Sequence, residues 1–199
     1  MVSSNYSTIA IGGSAGSMEG LLKLFSSLPK ELRLPIVIVN HLHPEDNGGL
    51  VAFFKQQTHH PVQEAADKAP VLPGYIYFPA ADYHLLVEAN KTFSLSIDPK
   101  VNYSRPSIDV FFESAAHVWE EKLVAIILSG ASSDGAEGIR TIHRFGGFTI
   151  AQDPAEAAYS IMPQAAIDTG RIDRILAIND ICNFFQRISA ETIRTGHTR

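Results

Sequence analysis

Ser14, His41 and Asp134 each follow an apolar run in this sequence. Together, these three side chains could form the catalytic site of a serine hydrolase. In a serine hydrolase the imidazole takes the proton of the serine hydroxyl, and the carboxylate fixes the imidazole tautomer and stabilises its cationic form. Each residue also has an ordinary structural interpretation, as a turn serine, a polar residue at a strand end or a helix cap. Their joint placement after three predicted strands favours the catalytic interpretation.

Ser14 lies in a glycine-rich turn, Gly12–Gly16, between a predicted strand and a predicted helix. The turn would place the serine beside the free backbone N–H groups of a helix N-terminus, which favour negative charge. Such a site suits either a bound phosphate or a nucleophile. The glycines lack the G-x-G-x-x-G spacing, His41 stands where a ribose-binding acidic residue is expected, and no G-x-x-x-x-G-K-[ST] loop occurs. The sequence therefore favours the nucleophile.

Strand-like runs alternate with helical patterns along the chain. The predicted strands include residues 8–11, 34–39, 123–128, 148–151 and 174–178, and the predicted helices include 18–28, 107–119, 155–158, 163–167 and 181–188. This alternation predicts an α/β fold with a doubly wound, mostly parallel sheet flanked by helices on both faces. Short strand-like runs and a hairpin-type turn predict an antiparallel hairpin excursion near residues 74–97. The carboxyl ends of parallel strands share one edge of a sheet, so the three candidate catalytic residues are expected to converge there.

Other polar residues are weaker candidates. His43 shares a loop with His41 and competes for the role of the base. Arg105 could reach a substrate carboxylate, although a surface charge is the simpler interpretation. Ser107 is expected to cap a helix, and Asp109 to complement the helix dipole in the first turn.

Composition limits the function classes. The chain has 199 residues, 45% of them hydrophobic, and a net charge of −5, which fits one domain and argues against nucleic acid as a partner. No signal peptide or membrane-spanning run occurs, so we expect a cytoplasmic protein without membrane insertion. Because there is one cysteine and the histidines are scattered, with His59 and His60 pointing apart, we expect no metal, no cofactor and no internal disulfide.

Six stretches resemble, in this order, the catalytic domain of the CheB family of chemotaxis protein-glutamate methylesterases. They are Ile9–Gly16, Val39–Leu42, Arg105–Asp109, Ile126–Gly138, Ala151–Pro154 and Met162–Ile167. The resemblance extends from about Thr8 to Ile188 and therefore covers nearly the whole chain.

The resemblance implies the same three catalytic residues, with the serine as nucleophile, the histidine as base and the aspartate as orienting carboxylate. The N–H group of Ala15 would then be an oxyanion donor, with Gly13 and Ala131 as neighbouring oxyanion or substrate-binding residues. The family usually has threonine after the serine, and the run Leu-Thr-Gly-Met-Gly where this chain has Leu128–Ser132. The walls of the site are therefore expected to differ from the family pattern.

Members of the family hydrolyse glutamate γ-methyl esters on chemoreceptors, releasing methanol, and some deamidate receptor glutamines. The resemblance implies a methylated cytoplasmic segment of a chemoreceptor or receptor-like protein as substrate, and a separate receiver or methyltransferase as a further partner. Residues 1–199 are expected to be a single catalytic domain without a receiver domain, standing alone or excised from a longer protein. Two alternatives stay open: a non-catalytic receptor-interaction module that keeps the fold, and an esterase for a small-molecule ester.

Overall fold

A computed structural model of the chain describes residues 6–41 and 48–196, with the backbone alone for residues 191–196. The strands are β1 (Thr8–Gly13), β2 (Ile36–Asn40), β3 (Val62–Glu64), β4 (Ile76–Phe78), β5 (His84–Val87), β6 (Phe93–Ser96), β7 (Leu123–Ile127), β8 (Phe148–Gln152) and β9 (Arg174–Leu176). The α-helices are α1 (Ser17–Ser27), α2 (Gly49–Phe54), α3 (Ile108–Trp119), α4 (Ala136–Arg144), α5 (Ile161–Asp168) and α6 (Ile178–Gly196). None of the described helices is long and apolar enough to cross a membrane.

In the described part of the chain, seven strands form a parallel sheet in the order β3-β4-β2-β1-β7-β8-β9. Strands β5 and β6 form a separate antiparallel pair. These findings confirm the predicted α/β fold with its antiparallel hairpin. The hairpin is shorter than expected, because Ile76–Phe78 pairs in parallel with its neighbours in the main sheet. All three residues of this strand are buried, as is typical of a parallel strand covered on both faces.

The chain reverses its direction across the sheet at β1. From β1 it passes through α1 to β2, whereas from β7 it passes through α4 and α5 to β8 and β9 on the other side. Because β-α-β crossovers are right-handed, opposite directions place the helices on opposite faces of the sheet. Ligands in doubly wound sheets bind at the carboxyl ends of the strands near such a reversal. Ser14, directly after β1, lies at this point.

Residues along the central strands alternate between two hydrophobic clusters, one on each face of the sheet. In β1, Ile9 and Ile11 pack in the cluster formed with α1 and α6, whereas Ala10 packs in the cluster formed with α3, α4 and α5. All three are buried. Burial on both faces explains why the sequence of these strands is a continuous apolar run rather than an alternating one.

Two local predictions had different outcomes. Ser107 is the N-cap of α3, where its side chain accepts a hydrogen bond from the Val110 N–H group, so this prediction is confirmed. Residues 155–158, predicted to be helical, form no helix; a turn covers residues 154–156 and a bend lies at 158. The Asp153 side chain accepts a hydrogen bond from the Ala155 N–H group at 2.9 Å, and this local bond favours a turn over a helix.

Candidate active site

The carboxyl-terminal edge of the sheet brings Ser14, His41 and Asp134 into one hydrogen-bonded chain. His41 Nδ1 lies 3.1 Å from Ser14 Oγ, and His41 Nε2 lies 2.8 Å from Asp134 Oδ2. An ionised carboxylate only accepts hydrogen bonds, so the proton of the neutral imidazole is on Nε2. The lone pair of Nδ1 then faces the serine hydroxyl. This arrangement can transfer the hydroxyl proton to the ring while the carboxylate stabilises the resulting cation.

Backbone hydrogen bonds hold the turn that carries Ser14. Its N–H group donates to the Ser129 carbonyl at 2.9 Å, and its carbonyl accepts the Ser17 N–H group at 3.0 Å. The Ser17 hydroxyl lies 2.7 Å from the same carbonyl and 3.1 Å from Asn40 Oδ1. Gly16, at φ 75°, completes the turn in a left-handed conformation before α1. The last residue of β2 and the first turn of α1 thus fix the serine beside the histidine.

Two of the three predicted oxyanion or substrate-binding residues present free N–H groups at this edge. Ala15 and Ala131 are exposed, and neither N–H group has an acceptor within the described ranges. Gly13 differs, because it is buried at the end of β1 and its carbonyl accepts the His41 N–H group at 3.4 Å. A Cβ atom at Gly13 would lie 2.9 Å from Ser17 Cβ, so this glycine permits the close approach of α1.

Ser129 connects the turn to the neighbouring loop. Its hydroxyl donates to the Ala15 carbonyl at 2.8 Å and accepts the Tyr159 N–H group at 2.9 Å. Its N–H group donates to Gln152 Oε1 at 2.8 Å. The bond to the Ala15 carbonyl holds the Ala15–Gly16 peptide plane, directly after Ser14. Sequence reasoning missed this role, since a serine in a loop carries no local sign of a partner more than 100 residues away along the chain.

Asp134 is fully buried and lies at the N-terminus of α3. Its carboxylate accepts the backbone N–H groups of Ile108 at 2.7 Å and Asp109 at 3.1 Å, and the Ser107 hydroxyl at 2.8 Å. Burial alone would raise the pKa of Asp134, but the hydrogen bonds from His41, from the two α3 N–H groups and from the hydroxyl outweigh it and lower the pKa to about 2. The carboxylate is therefore ionised at neutral pH.

The alternative interpretation of Asp134 as a cap of the helix that follows it does not describe the structure. Gly135 is the N-cap of α4, and no side chain caps that helix. Asp134 instead accepts two backbone N–H groups from the start of α3, which precedes it in the chain and has Ser107 as its N-cap. A carboxylate at this position also suits the positive end of the helix dipole.

A second buried carboxyl group lies beside Asp134. Asn102 Nδ2 is 2.8 Å from Asp109 Oδ2 and 3.2 Å from Asp134 Oδ1, and Asp109 Oδ1 accepts the Gly138 N–H group at 2.8 Å. Burial and the neighbouring Asp134 charge raise the pKa of Asp109 to about 7, against the lowering effect of the Gly138 N–H group. As expected, Asp109 lies in the first turn of α3, and its carboxyl group also contacts Asn102 and the Gly138 N–H group of α4.

Arg105 stabilises the hairpin region rather than standing free at the site. Its Nε and Nη2 atoms donate to Asp82 Oδ1 at 3.1 and 2.9 Å. Its Nη1 atom donates to the carbonyl groups of residues 97 and 98 at 2.8 and 3.0 Å. These bonds support the structural interpretation of Arg105.

The remaining histidine candidates do not extend the site. His43 lies outside the described residues. The ring nitrogens of His60 lie 3.1 Å from the Gly74 carbonyl and 2.9 Å from the Pro29 carbonyl, which is a structural role. In the ranges that the structure describes, no group of three or more histidine, cysteine, aspartate or glutamate residues could hold a metal ion.

Comparison with known proteins places the chain in a class of carboxylic-ester hydrolases. Residues 9–185 match the family model for the CheB methylesterase. The chain belongs to the CheB methylesterase family, and the resemblance predicted from its six stretches is confirmed.

Individual relatives agree with this assignment. A Leptospira interrogans protein with the provisional name protein-glutamate methylesterase/protein-glutamine glutaminase is 39% identical over 189 residues, covering 95% of this chain and 98% of that protein. A Mesorhizobium japonicum protein named protein-glutamate methylesterase/protein-glutamine glutaminase is 36% identical over 87% of this chain, which spans about half (51%) of that protein. The crystal structure of the Thermotoga maritima CheB methylesterase catalytic domain matches with a TM-score of 0.87 and 30% identity, covering 91% of this chain and 97% of that one.

Proposed function

We propose that this protein hydrolyses the γ-methyl esters of glutamate side chains on a receptor-like protein, with Ser14, His41 and Asp134 as its catalytic triad. The observation that carries the proposal is the His41 ring, whose two nitrogens lie within hydrogen-bond distance of the serine hydroxyl and the buried carboxylate. The names of the relatives support the substrate, since they include both protein-glutamate methylesterase and protein-glutamine glutaminase.

The first half of the reaction forms an acyl-enzyme. Ser14 Oγ attacks the ester carbonyl carbon while its proton moves to His41 Nδ1, and Asp134 stabilises the imidazolium through the Nε2–H bond. The N–H groups of Ala15 and Ala131 donate to the oxyanion of the tetrahedral intermediate. The intermediate then expels the methoxy group, which takes the proton from His41 Nδ1 and leaves as methanol.

The second half returns the free serine. Water loses a proton to His41 Nδ1 and attacks the glutamyl ester of Ser14. The second tetrahedral intermediate collapses by breaking its bond to Ser14 Oγ, which takes the proton back from His41 Nδ1, and the released glutamic acid ionises to the carboxylate. A glutamine side chain would follow the same steps with ammonia as the leaving group. We extend the proposal to this deamidation because the relatives carry both activities in their names.

The proposed partners follow from the substrate. A methylated cytoplasmic segment of a chemoreceptor or receptor-like protein would supply the ester, and a separate receiver or methyltransferase would be the further partner. The cytoplasmic location and the single-domain organisation stay predictions.

The triad is tested with a peptide that carries a glutamate γ-methyl ester, by measuring methanol release. Ser14→Ala should lower kcat by at least about a thousandfold, because the acyl-enzyme cannot form. Ser26→Ala, which removes an exposed hydroxyl from α1, is the matched control and should keep full activity. Equal release by the Ser14→Ala protein would disprove the assignment.

The same assay separates the two alternatives left open by the sequence. A non-catalytic module would bind the peptide without releasing methanol from any variant. A small-molecule esterase would hydrolyse generic methyl esters far faster than the peptide ester, with the same dependence on Ser14.

A further inference from the structure

A depression rich in arginine lies along α4, the helix that follows Asp134 in the chain. It has a volume of about 450 Å³ and is lined by Glu137, Arg140, Thr141, His143, Arg144 and Arg171. We refer to the depression formed by these six residues as the arginine groove. All three arginines are exposed, so their guanidinium groups are accessible to a partner.

The groove continues towards the catalytic residues. A second cavity of about 310 Å³ shares Glu137 and Arg140 with it and is also lined by Asn102 and Ser133. Asn102 Nδ2 lies 3.2 Å from the Asp134 carboxylate. Helix α4 has nine residues, about 13 Å at ~1.5 Å per residue, so a bound chain segment could contact both the site and the groove.

The charge of the groove contrasts with that of the whole chain. Three arginines and one glutamate line it, although the chain has a net charge of −5. Glu137 pairs with Arg140 at 3.2 Å. Within the described residues, Arg144 and Arg171 have no carboxylate within 4.0 Å, and the Arg144 guanidinium lies 5.6 Å from the centre of the Phe145 ring. At least two cations are thus available to a ligand.

We propose that the arginine groove binds a carboxylate-rich stretch of the substrate protein beside the esterified glutamate. The proposal rests on the proposed function, because each hydrolysis at the site converts an ester into a glutamate carboxylate. A substrate with several such glutamates therefore accumulates negative charge next to the remaining esters. Guanidinium groups match carboxylates in geometry and bind them with paired hydrogen bonds.

The test compares two short peptides with one glutamate γ-methyl ester each, one flanked by glutamates and the other by glutamines. The wild-type protein should hydrolyse the glutamate-flanked peptide with a kcat/KM about fivefold higher or more, with most of the difference in KM. Added salt should reduce this preference, since exposed charges are screened. The double variant Arg144→Glu/Arg171→Glu should lose the preference and hydrolyse a small glutamate methyl ester at the wild-type rate.

The matched control is Arg33→Glu/Arg187→Glu, which reverses two exposed arginines outside the groove. This control should keep the preference, because docking depends on the position of the charges and not on net charge. An equal loss in the control, or an unchanged preference in the groove variant, would overturn the proposal.

Binding to the Ser14→Ala protein, measured by fluorescence anisotropy, separates this proposal from the proposed function. Groove-dependent binding of the glutamate-flanked peptide without turnover by the wild type would retain the docking site and reject the esterase. Turnover of both peptides at the same kcat/KM would support the esterase and reject the docking site. A competition experiment then tests the nature of the ligand. If a DNA duplex displaces the labelled peptide at a lower concentration than unlabelled glutamate-flanked peptide does, the groove prefers nucleic acid, and the proposal of an acidic protein segment is wrong.

Discussion

The carboxylate of Asp134 accepts hydrogen bonds from the candidate catalytic histidine and from the first turn of α3 at the same time. Five donors surround this buried group, so its charge is kept although water is excluded. The Ser14 side chain, at the other end of the hydrogen-bonded chain, belongs to a residue that is only partly buried. At the residue scale, the site therefore combines a buried, fully hydrogen-bonded anion with a partly exposed candidate nucleophile.

Ser129 is predicted to be a positioning residue for the proposed reaction. Ser129→Ala removes the hydroxyl that holds the Ala15 carbonyl at 2.8 Å, and the loss of one such bond should lower kcat by about fivefold at nearly constant KM. Ser129→Thr keeps a hydroxyl at the same place and should restore kcat. The measurement is steady-state hydrolysis of the methyl-ester peptide by the three proteins. A threonine variant as slow as the alanine variant, with both fully folded, would contradict the positioning role.

At the scale of elements, the connection between β1 and α1 determines where Ser14 lies. Gly16 has φ 75°, and a Cβ atom there would lie 2.7 Å from Ala158 Cβ and 2.8 Å from Ser129 Oγ. The left-handed conformation and the close approach of two loops thus coincide at one residue. Gly170, at the end of α5, has a similar φ of 68° but nothing within 4 Å of the corresponding Cβ position.

This pair of glycines separates backbone strain from crowding. Gly170→Ala should lower the free energy of unfolding by about 1–2 kcal/mol, the cost of a left-handed alanine, and leave activity unchanged. Gly16→Ala should lower it by roughly a further 1–3 kcal/mol, because the added methyl group also overlaps its neighbours, and it should impair peptide hydrolysis. Urea denaturation and the methanol assay provide the two measurements. Equal effects of the two substitutions would show that crowding at Gly16 is relieved without cost.

At the scale of the whole molecule, the two neighbouring carboxyl groups give the folding equilibrium opposite pH dependences. The lowered pKa of Asp134, about 2, stabilises the folded state above about pH 4, and this contribution is lost as the pH falls towards 2. The raised pKa of Asp109, about 7, means that the folded state keeps a proton that the unfolded chain loses near pH 4. The contribution of Asp109 to stability therefore falls as the pH rises from about 4 to about 7.

Asp109→Asn should remove that second dependence. Asparagine keeps an oxygen acceptor for the Gly138 N–H group and carries no charge at any of these pH values. The free energy of unfolding of the variant, relative to wild type, should therefore increase by up to about 1.4 kcal/mol per pH unit between about pH 4 and 7 and level off above. Urea denaturation across this range provides the measurement. If the free energy of unfolding changes with pH in the same way for both proteins, Asp109 has the same pKa in the folded and unfolded states.

Local patterns in the sequence determined much of the fold and the identity of the candidate triad. Buried runs predicted the central strands, and the glycine-rich turn after β1 indicated Ser14, because these features depend on residues adjacent in the chain. The strand β3 was not predicted, since three residues are too few for a recognisable periodicity. The parallel pairing of β4 was not predicted, because its partner strands lie far from it in the sequence.

Only the tertiary structure decided which groups support the candidate triad. Asn102 contacts Asp134 across 32 positions of the chain, and Ser129 contacts Ala15 across 114. The sequence by itself determined that a serine, a histidine and an aspartate follow three strands, because a buried strand and the turn after it are local features. The packing of α3, α4 and the loop before them decides which side chains surround Asp134 and stabilise its charge. The same packing decides which groups raise the pKa of Asp109. Such contacts exist only after folding has removed these groups from water.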